Sequence, residues 1–400
     1  MPQDKWKAVA LPSALISALL FVMAACGSVA PTPLASTSQP PSPGSAQTAR
    51  PAPAEASTAS DWQAEWEQRV AAAKQEGKIS LLIQPGASIR QALDNFQTQY
   101  GIALDVRTGN GSPDLVPAVA TERQAGKFLW DAAILNSQVL FTGFKPLGAF
   151  EPLRPSLIQP GVLDDSKWLG GFAAGWADHD KLLVYAFVHN QTPTAHVNRD
   201  IIPEAQLNTL DQLWDPKWKG KIAIGDPRTP SSGAGSLATI LGVKGEDKLR
   251  ALLRDQQLVL TQDRRQLFDW VLRGQYPIGI GISPDSFTDY LAQGVDVSKI
   301  LPIVSDDPAS FKLSHGSGAM AFFNHAPHPN AAVVFANWLL SQEGQQLYSQ
   351  ATGYNVRRLD VPVANPSSAI DPKRQYVELE TEDTYPTQAK SSAIAKEFFK

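Results

Sequence analysis

Cysteine is nearly absent from this chain: its 400 residues contain one, Cys26. No intramolecular disulfide can form, and zinc sites built on cysteine pairs are excluded. Charge of one sign is scarce as well. There are 35 Lys and Arg against 39 Asp and Glu, a formal net charge of −4. No basic run suits a nucleic acid, and no acidic block suits a basic partner. Local catalytic signatures are missing. The sequence has no G-x-S-x-G elbow, no G-x-x-x-x-G-K-[ST], no G-x-G-x-x-G and no H-E-x-x-H. No nucleophile–base pair is specified, which favours a binder over an enzyme, and no cofactor is called for.

What is present begins at the N-terminus. Lys5 and Lys7 precede an apolar run from Ala8 to Ala25, which ends in Met23-Ala24-Ala25-Cys26. A positive start, a hydrophobic stretch and small residues before a cut describe an export signal. Small residues directly before a cysteine resemble the lipobox of bacterial lipoproteins. That resemblance implies acylation of Cys26, a leader over 1–26, and a body anchored outside the cytoplasm. Residues 27–60 are Pro, Ser, Thr, Ala and Gln with almost no large apolar side chain. Such a segment cannot bury enough surface to offset its ordering entropy and reads as a disordered tether.

Order is expected from Asp61. Lys78–Gln84, Ile102–Arg107 and Asp131–Leu135 read as strands, alternating with helices over Ser88–Tyr100 and Asp114–Ala125. A second set follows. Its strands are Lys221–Ile224, Leu258–Leu260, Pro277–Ile282 and Ile300–Val304. Its helices are Ser232–Leu241, Glu246–Arg254, Arg264–Leu272 and Asp285–Ala292. Leu182–His189 reads as extended. Ala319–Phe323 reads as a late strand before helices Asn330–Leu340 and Gln342–Gln350. Strands alternating with helices at this pitch predict a doubly wound α/β architecture, and the length predicts two lobes. After Asn365 the chain is polar and its helical pattern is weak.

The stretch Leu213-Trp214-Asp215-Pro216-Lys217-Trp218-Lys219-Gly220-Lys221-Ile222, followed by Asp226-Pro227 and a Ser/Gly turn, resembles bacterial extracellular solute-binding proteins. The iron(III)-type branch serving ABC transporters is the nearest group. Arg273-Gly274-Gln275-Tyr276-Pro277-Ile278-Gly279-Ile280-Gly281 and Asn337-Trp338-Leu339-Leu340-Ser341-Gln342-Glu343-Gly344-Gln345 agree with it in the same order. The resemblance implies a type II periplasmic-binding fold, two lobes hinged about a cleft. The expected lobes are 61–172 with 316–341, and 173–315, with C-terminal helices and a tail over 342–400. It further implies capture of a small anion or a ferric ion, delivery to a membrane permease, and a monomer. A hydrolase or a sensory protein on the same fold is the alternative.

Candidate ligand contacts come from two kinds of loop. Arg228, Ser231, Ser232 and Gly233 form a Ser/Gly turn at a helix start, where free N–H groups converge and an arginine offers a fork for an oxyanion. Gln84, Gly111, Ser112, Asn136 and Ser137 follow strands, and loops at strand C-termini are the usual ligand positions in open α/β sheets. Asp285 lies in Ser283-Pro284-Asp285-Ser286, after another strand. Iron-binding members place two adjacent tyrosines near here. This chain has no adjacent tyrosines, so no metal-ligand set is specified.

Overall fold

A computed structural model describes residues 59–399 apart from 110, 230 and 372. The leader, Cys26 and nearly all of the tether therefore lie outside the described residues. The first sheet is built on β1 (Lys78–Ile83), whose KISLLI run is buried at every position after Lys78. Such a two-sided apolar strand belongs in the middle of a covered sheet. It pairs in parallel with β2 (Ala103–Thr108) on one side and β3 (Ala132–Leu135) on the other. Helix α1 (Ala59–Glu76) precedes it, and α2 (Ala87–Tyr100) and α3 (Gly111–Gln124) connect the strands. Helix α2 buries Ile89, Ala92, Leu93 and Phe96 along one face. It stops at Gly101, whose φ of 70° lets its N–H reach the Gln97 carbonyl.

Two short strands follow, β4 (Phe150–Glu151) and β5 (Tyr185–Ala186). The expected extended run 182–189 thus contributes a two-residue strand and an isolated bridge from Val188 to Val356. Strand β6 (Asn190–Pro193) leaves the first sheet and runs straight into β7 (Ala195–Asn198). The second sheet places β7 beside β8 (Ile222–Gly225), β9 (Val259–Thr261), β10 (Ile278–Ile280) and β11 (Ile300–Pro302), in the order β11-β7-β10-β8-β9. Helices α4 (Ser232–Lys244), α5 (Glu246–Asp255), α6 (Arg264–Leu272) and α7 (Pro284–Ala292) belong to this half.

The chain returns through β12 (Phe311–Ser314) into β13 (Ala319–Phe323), which pairs antiparallel with β3, β4 and β5 in the first sheet. Strands β6 and β12 form their own antiparallel pair, with Lys312 opposite Thr192 and Ser314 opposite Asn190. Each is flanked by a strand of either sheet, so these two segments carry the chain across. The crossing occurs at 190. The expected boundary between 172 and 173 falls inside the first half, because Tyr185, Phe187 and Val188 are buried in the first sheet's core.

Helices α8 (Pro329–Leu340) and α9 (Gln342–Thr352) complete the first half. The tail holds a helix that the sequence pattern barely announces, α10 (Tyr385–Phe398), with Ile394 and Ala395 buried in the second sheet's core. Its pattern is faint because it packs by small residues. Ser391 is fully buried and donates from Oγ to the Ala234 carbonyl at 3.5 Å, and Thr387 lies over Gly242. Small side chains bring two helices together without a conspicuous apolar stripe.

Candidate functional site

A cleft of about 630 Å³ opens between the sheets, and all three parts of the fold supply its wall. Gln84 and Asn136 come from the ends of β1 and β3. Asn190, Thr192 and Lys312 come from the crossing pair, and Ser232 and Ser283 from loops after β8 and β10. A smaller chamber of about 380 Å³ adjoins it, with Ser232 and Ser283 lining both.

The expected contacts divide. Gln84, Asn136 and Ser232 face the cleft. The Gln84 and Ser232 side chains make no hydrogen bonds within the described protein, whereas Asn136 is half committed. Its Oδ1 accepts from the Gln138 N–H at 2.9 Å and its Nδ2 donates to the Gly316 carbonyl at 3.2 Å. Ser137 points behind the wall, where its Oγ donates to the Glu380 carbonyl at 2.8 Å and lies 3.0 Å from His315 Nδ1. The side chains of Ser112 and Asp285 lie outside the described residues.

Four expected contacts have structural work, though two of them, Ser231 and Gly233, also line the adjoining chamber. Arg228 does not line the cleft. Its Nε and Nη2 bind Asp226 at 2.9 and 2.8 Å, and its Nη1 donates to the Phe399 carbonyl at 3.3 Å. That guanidinium, with Gln262, holds the Asp226 carboxyl far below the ordinary carboxylate range, against the opposing effect of burial. Ser231 is the true N-cap of α4. Its Oγ accepts from the Ala234 N–H at 3.1 Å and donates to the Asp226 carbonyl at 2.6 Å. Gly233 serves packing, since a Cβ there would lie 1.9 Å from the Gly225 carbonyl oxygen. Gly111 does the same for Val139, 2.5 Å from where its Cβ would be.

The residue that sequence reasoning missed is Lys312. Among the described residues it is the one charged side chain that lines the larger cleft. Its side chain is only 10% exposed, and Nζ sits 3.8 Å from Glu380 Oε1 without a hydrogen bond to any described group. Gly235 of α4 leaves room for it, as a Cβ at that position would lie 2.8 Å from Nζ. Glu380 is itself fixed by accepting the His315 N–H at 2.7 Å through Oε2. An ammonium with donors unspent, on a residue lining a polar cleft, is an anion-receiving arrangement. Asn190, Thr192 and Ser283 were also missed. Within the described residues the Thr192 and Ser283 hydroxyls and the Asn190 Nδ2 have no hydrogen-bond partner, while Asn190 Oδ1 accepts the Asn355 N–H at 3.0 Å.

Behind this wall lies a second polar layer. His189 directly precedes β6 and His315 directly follows β12, with Glu378 reaching both at 3.8 and 3.4 Å. Burial holds His189 down at about 3. Burial would raise Glu378, but the charge and hydrogen bond of His315 outweigh it and hold it at about 2.

The family model for bacterial extracellular solute-binding proteins matches residues 91–374 of this chain. The chain belongs to that family. Among curated members, Iron uptake protein A2 of Synechocystis is 25% identical over 243 residues, covering 56% of this chain and 62% of the relative. An uncharacterized Haemophilus influenzae protein is 23% identical over 209 residues, covering 50% of this chain and 58% of that one. The chain thus spans about three-fifths of the length of these relatives. Of solved structures, iron-bound HitA from Pseudomonas aeruginosa aligns with a TM-score of 0.61 at 16% identity, covering 81% of this chain and 99% of that one. A Trichodesmium protein in complex with iron and citrate aligns at 0.60 and 17% identity, covering 81% and 99%. These structures establish the solute-binding fold, two α/β lobes about a cleft. The family consists of extracellular binding proteins, which places the folded body outside the cytoplasm.

Proposed function

We propose that this solute-binding protein is the extracytoplasmic substrate-binding component of an ABC importer and that its cargo is a small anion. The observation that carries the reading is Lys312 in a cleft walled by both sheets and their crossing strands. A solute held there touches both halves at once. Contacts of that kind, made only in the shut state, are what shift a hinged protein toward closure.

The ferric reading suits the names of the relatives but is less well supported by this cleft. A hard trivalent cation wants phenolate and carboxylate oxygens. Among the described residues no Asp or Glu lines the larger cleft, and Ser283 and Pro284 line it where the resemblance puts a tyrosine pair. Among the described residues, no three His, Cys, Asp or Glu are grouped to hold a metal. A lysine there would oppose a bare cation.

We further infer that Cys26 carries a lipid anchor, that the body acts as a monomer beside a membrane permease, and that it returns its ligand unchanged. Native mass spectrometry of freshly purified protein, followed by small-angle scattering with the solute found, tests the central claim. Compaction on binding supports it, and a tightly bound solute that leaves the scattering curve unchanged counts against it. At one hundred times its dissociation constant, a ligand adds about 2.7 kcal/mol of stability, well within reach of a melting experiment.

A further inference from the structure

The geometry points to a hydroxylated organic anion as the cargo, its oxyanion head on Lys312 and its body against the uncommitted amides and hydroxyls of the cleft. This rests on the anion-capture reading above and narrows it. Among the described residues, charge is concentrated at one place in the larger cleft, at Lys312. The remaining capacity is spread widely. Gln84 on the first sheet, Asn190 and Thr192 on the crossing strand, and Ser232 and Ser283 on the second half all present unengaged hydrogen-bonding groups to the same space. These positions span the cleft from wall to wall.

Size and chemistry then exclude the smaller candidates. A tetrahedral inorganic oxyanion fills a small part of about 630 Å³. It would satisfy Lys312 and a few donors, leaving the groups across the cleft unpaired once water is expelled, and each such group carries a desolvation penalty. An apolar body would leave all of them unpaired. Among the described residues the one aromatic lining residue is Tyr354 and the aliphatic ones are Pro284 and Ala351, so little of the wall suits an apolar body. Alcohol groups both donate and accept, as do serine, threonine and the carboxamides, so a hydroxyl-bearing chain or ring matches this wall in either direction. Volumes of this order are those of organic-ligand sites. The adjoining chamber, about 380 Å³ beyond Ser232 and Ser283, gives the end of the body remote from Lys312 somewhere to extend.

Isothermal titration of the full chain with five probes separates the possibilities: gluconate, glucose 6-phosphate, inorganic phosphate, glucose and ferric ion. The expected result is that one of the two hydroxylated anions binds about 100-fold tighter than both phosphate and glucose, because phosphate lacks the alcohol groups that the wall pairs and glucose lacks the charge that Lys312 pairs. The two anions distinguish a carboxylate head from a phosphate head. Lys312→Met should weaken the hydroxylated anion by about 10- to 100-fold, as loss of a charged hydrogen bond does. Ser283→Ala should weaken the hydroxylated anion while leaving phosphate unchanged. Phosphate binding as tightly as either organic anion overturns the inference and leaves anion capture standing. Ferric ion or glucose as the tightest ligand, or an organic anion indifferent to Lys312→Met, removes both. No binding by any probe overturns the inference, and compaction with the co-purified solute then decides the broader reading separately.

Discussion

Gly235 and Lys312 are fitted to each other: a methyl group at position 235 would lie 2.8 Å from Nζ, inside van der Waals contact. The absence of a side chain on one helix thus defines where a cation sits on a strand of the crossing pair. Gly235→Ala should push the ammonium from its place while improving helix propensity. Affinity for an anionic ligand is expected to fall about tenfold, in line with a displaced charged hydrogen bond, with little loss of stability. Titration and thermal melting of one sample check both halves. Unchanged affinity would show that Lys312 is not a contact.

Arg228→Ala makes the contrasting case. The guanidinium is spent on Asp226 and on the Phe399 carbonyl at the end of α10. The variant should melt at a lower temperature, because Asp226 is buried and loses its partner. Its affinity for the anionic solute should match that of the wild type. A large drop in affinity with an unchanged melting point would return Arg228 to the site.

Gly233→Ala tests whether the Ser/Gly turn is a packing device. A Cβ would lie 1.9 Å from the Gly225 carbonyl oxygen, and neither backbone can yield cheaply. A destabilisation of about 3 kcal/mol is expected, at the upper end for overpacking. Urea unfolding measures it, and an unperturbed midpoint would contradict the contact. Asn337 offers a parallel case in the first half. It is fully buried and makes four hydrogen bonds, accepting from the Ile158 and Gln159 N–H groups and donating to the Ser156 and Val333 carbonyls. Asn337→Ala leaves the Ile158 and Gln159 N–H groups and the Ser156 carbonyl without this partner and should cost about 3 kcal/mol.

Acid should weaken the fold well before ordinary carboxylates titrate. Burial holds both His189 and His196 at about 3, against an ordinary value of 6.5. The unfolded chain takes up these protons below pH 6.5 and the folded chain does not, so this contribution is whole above 6.5 and is lost as pH falls toward 3. Each group costs up to about 2 kcal/mol by pH 5. Glu378, held at about 2, adds a loss below its ordinary value of 4.5. His315 acts in the other sense. Burial opposes its charge, but Glu378 overrides that and raises it, so its contribution is present below 6.5 and fades as pH rises. Two neutral buried histidines outweigh one charged histidine, so urea midpoints should drop between pH 7 and 5. His196→Phe, beside Phe287 at 5.2 Å, should flatten that drop. An identical pH profile would rule out His196 as its source.

The C-terminal segment should restrain opening. Glu382 binds Lys145 at 2.6 Å and accepts the His179 N–H at 2.8 Å, and Tyr385 packs edge-on against Phe141 at 5.8 Å, all in the first half. Helix α10 then packs on the second. Combining Glu382→Ala with Tyr385→Ala should increase the ligand-free radius of gyration by small-angle scattering. An unchanged radius would show that the hinge is held elsewhere.

The sequence showed the helices and strands clearly where the pattern is local. Arg264–Leu272 and Ala319–Phe323 are found with the bounds that periodicity predicts. Gln84 and Ser232 were legible as candidates because they stand where a strand ends or a helix starts. Lys312, Asn190 and Thr192 were not, because they lie within short strands whose partners, each other and Val377, are far apart along the chain. Neither segment carries turn chemistry or periodicity to announce it, and a lone lysine in Phe-Lys-Leu-Ser reads as a solvated strand residue. Arg228 misled for the opposite reason. Its loop had the right chemistry, but the carboxylate that consumes it sits two positions away and is invisible as a partner until the turn is folded.

Ile394 and Ala395 fill the heart of the second half, beside residues such as Leu237 made long before them. That half is left with an open apolar seam until nearly the whole described chain has been synthesised. A polypeptide that is threaded through a membrane before it works gains from such an order of assembly. Its second core lacks these two residues until the last helix has been made.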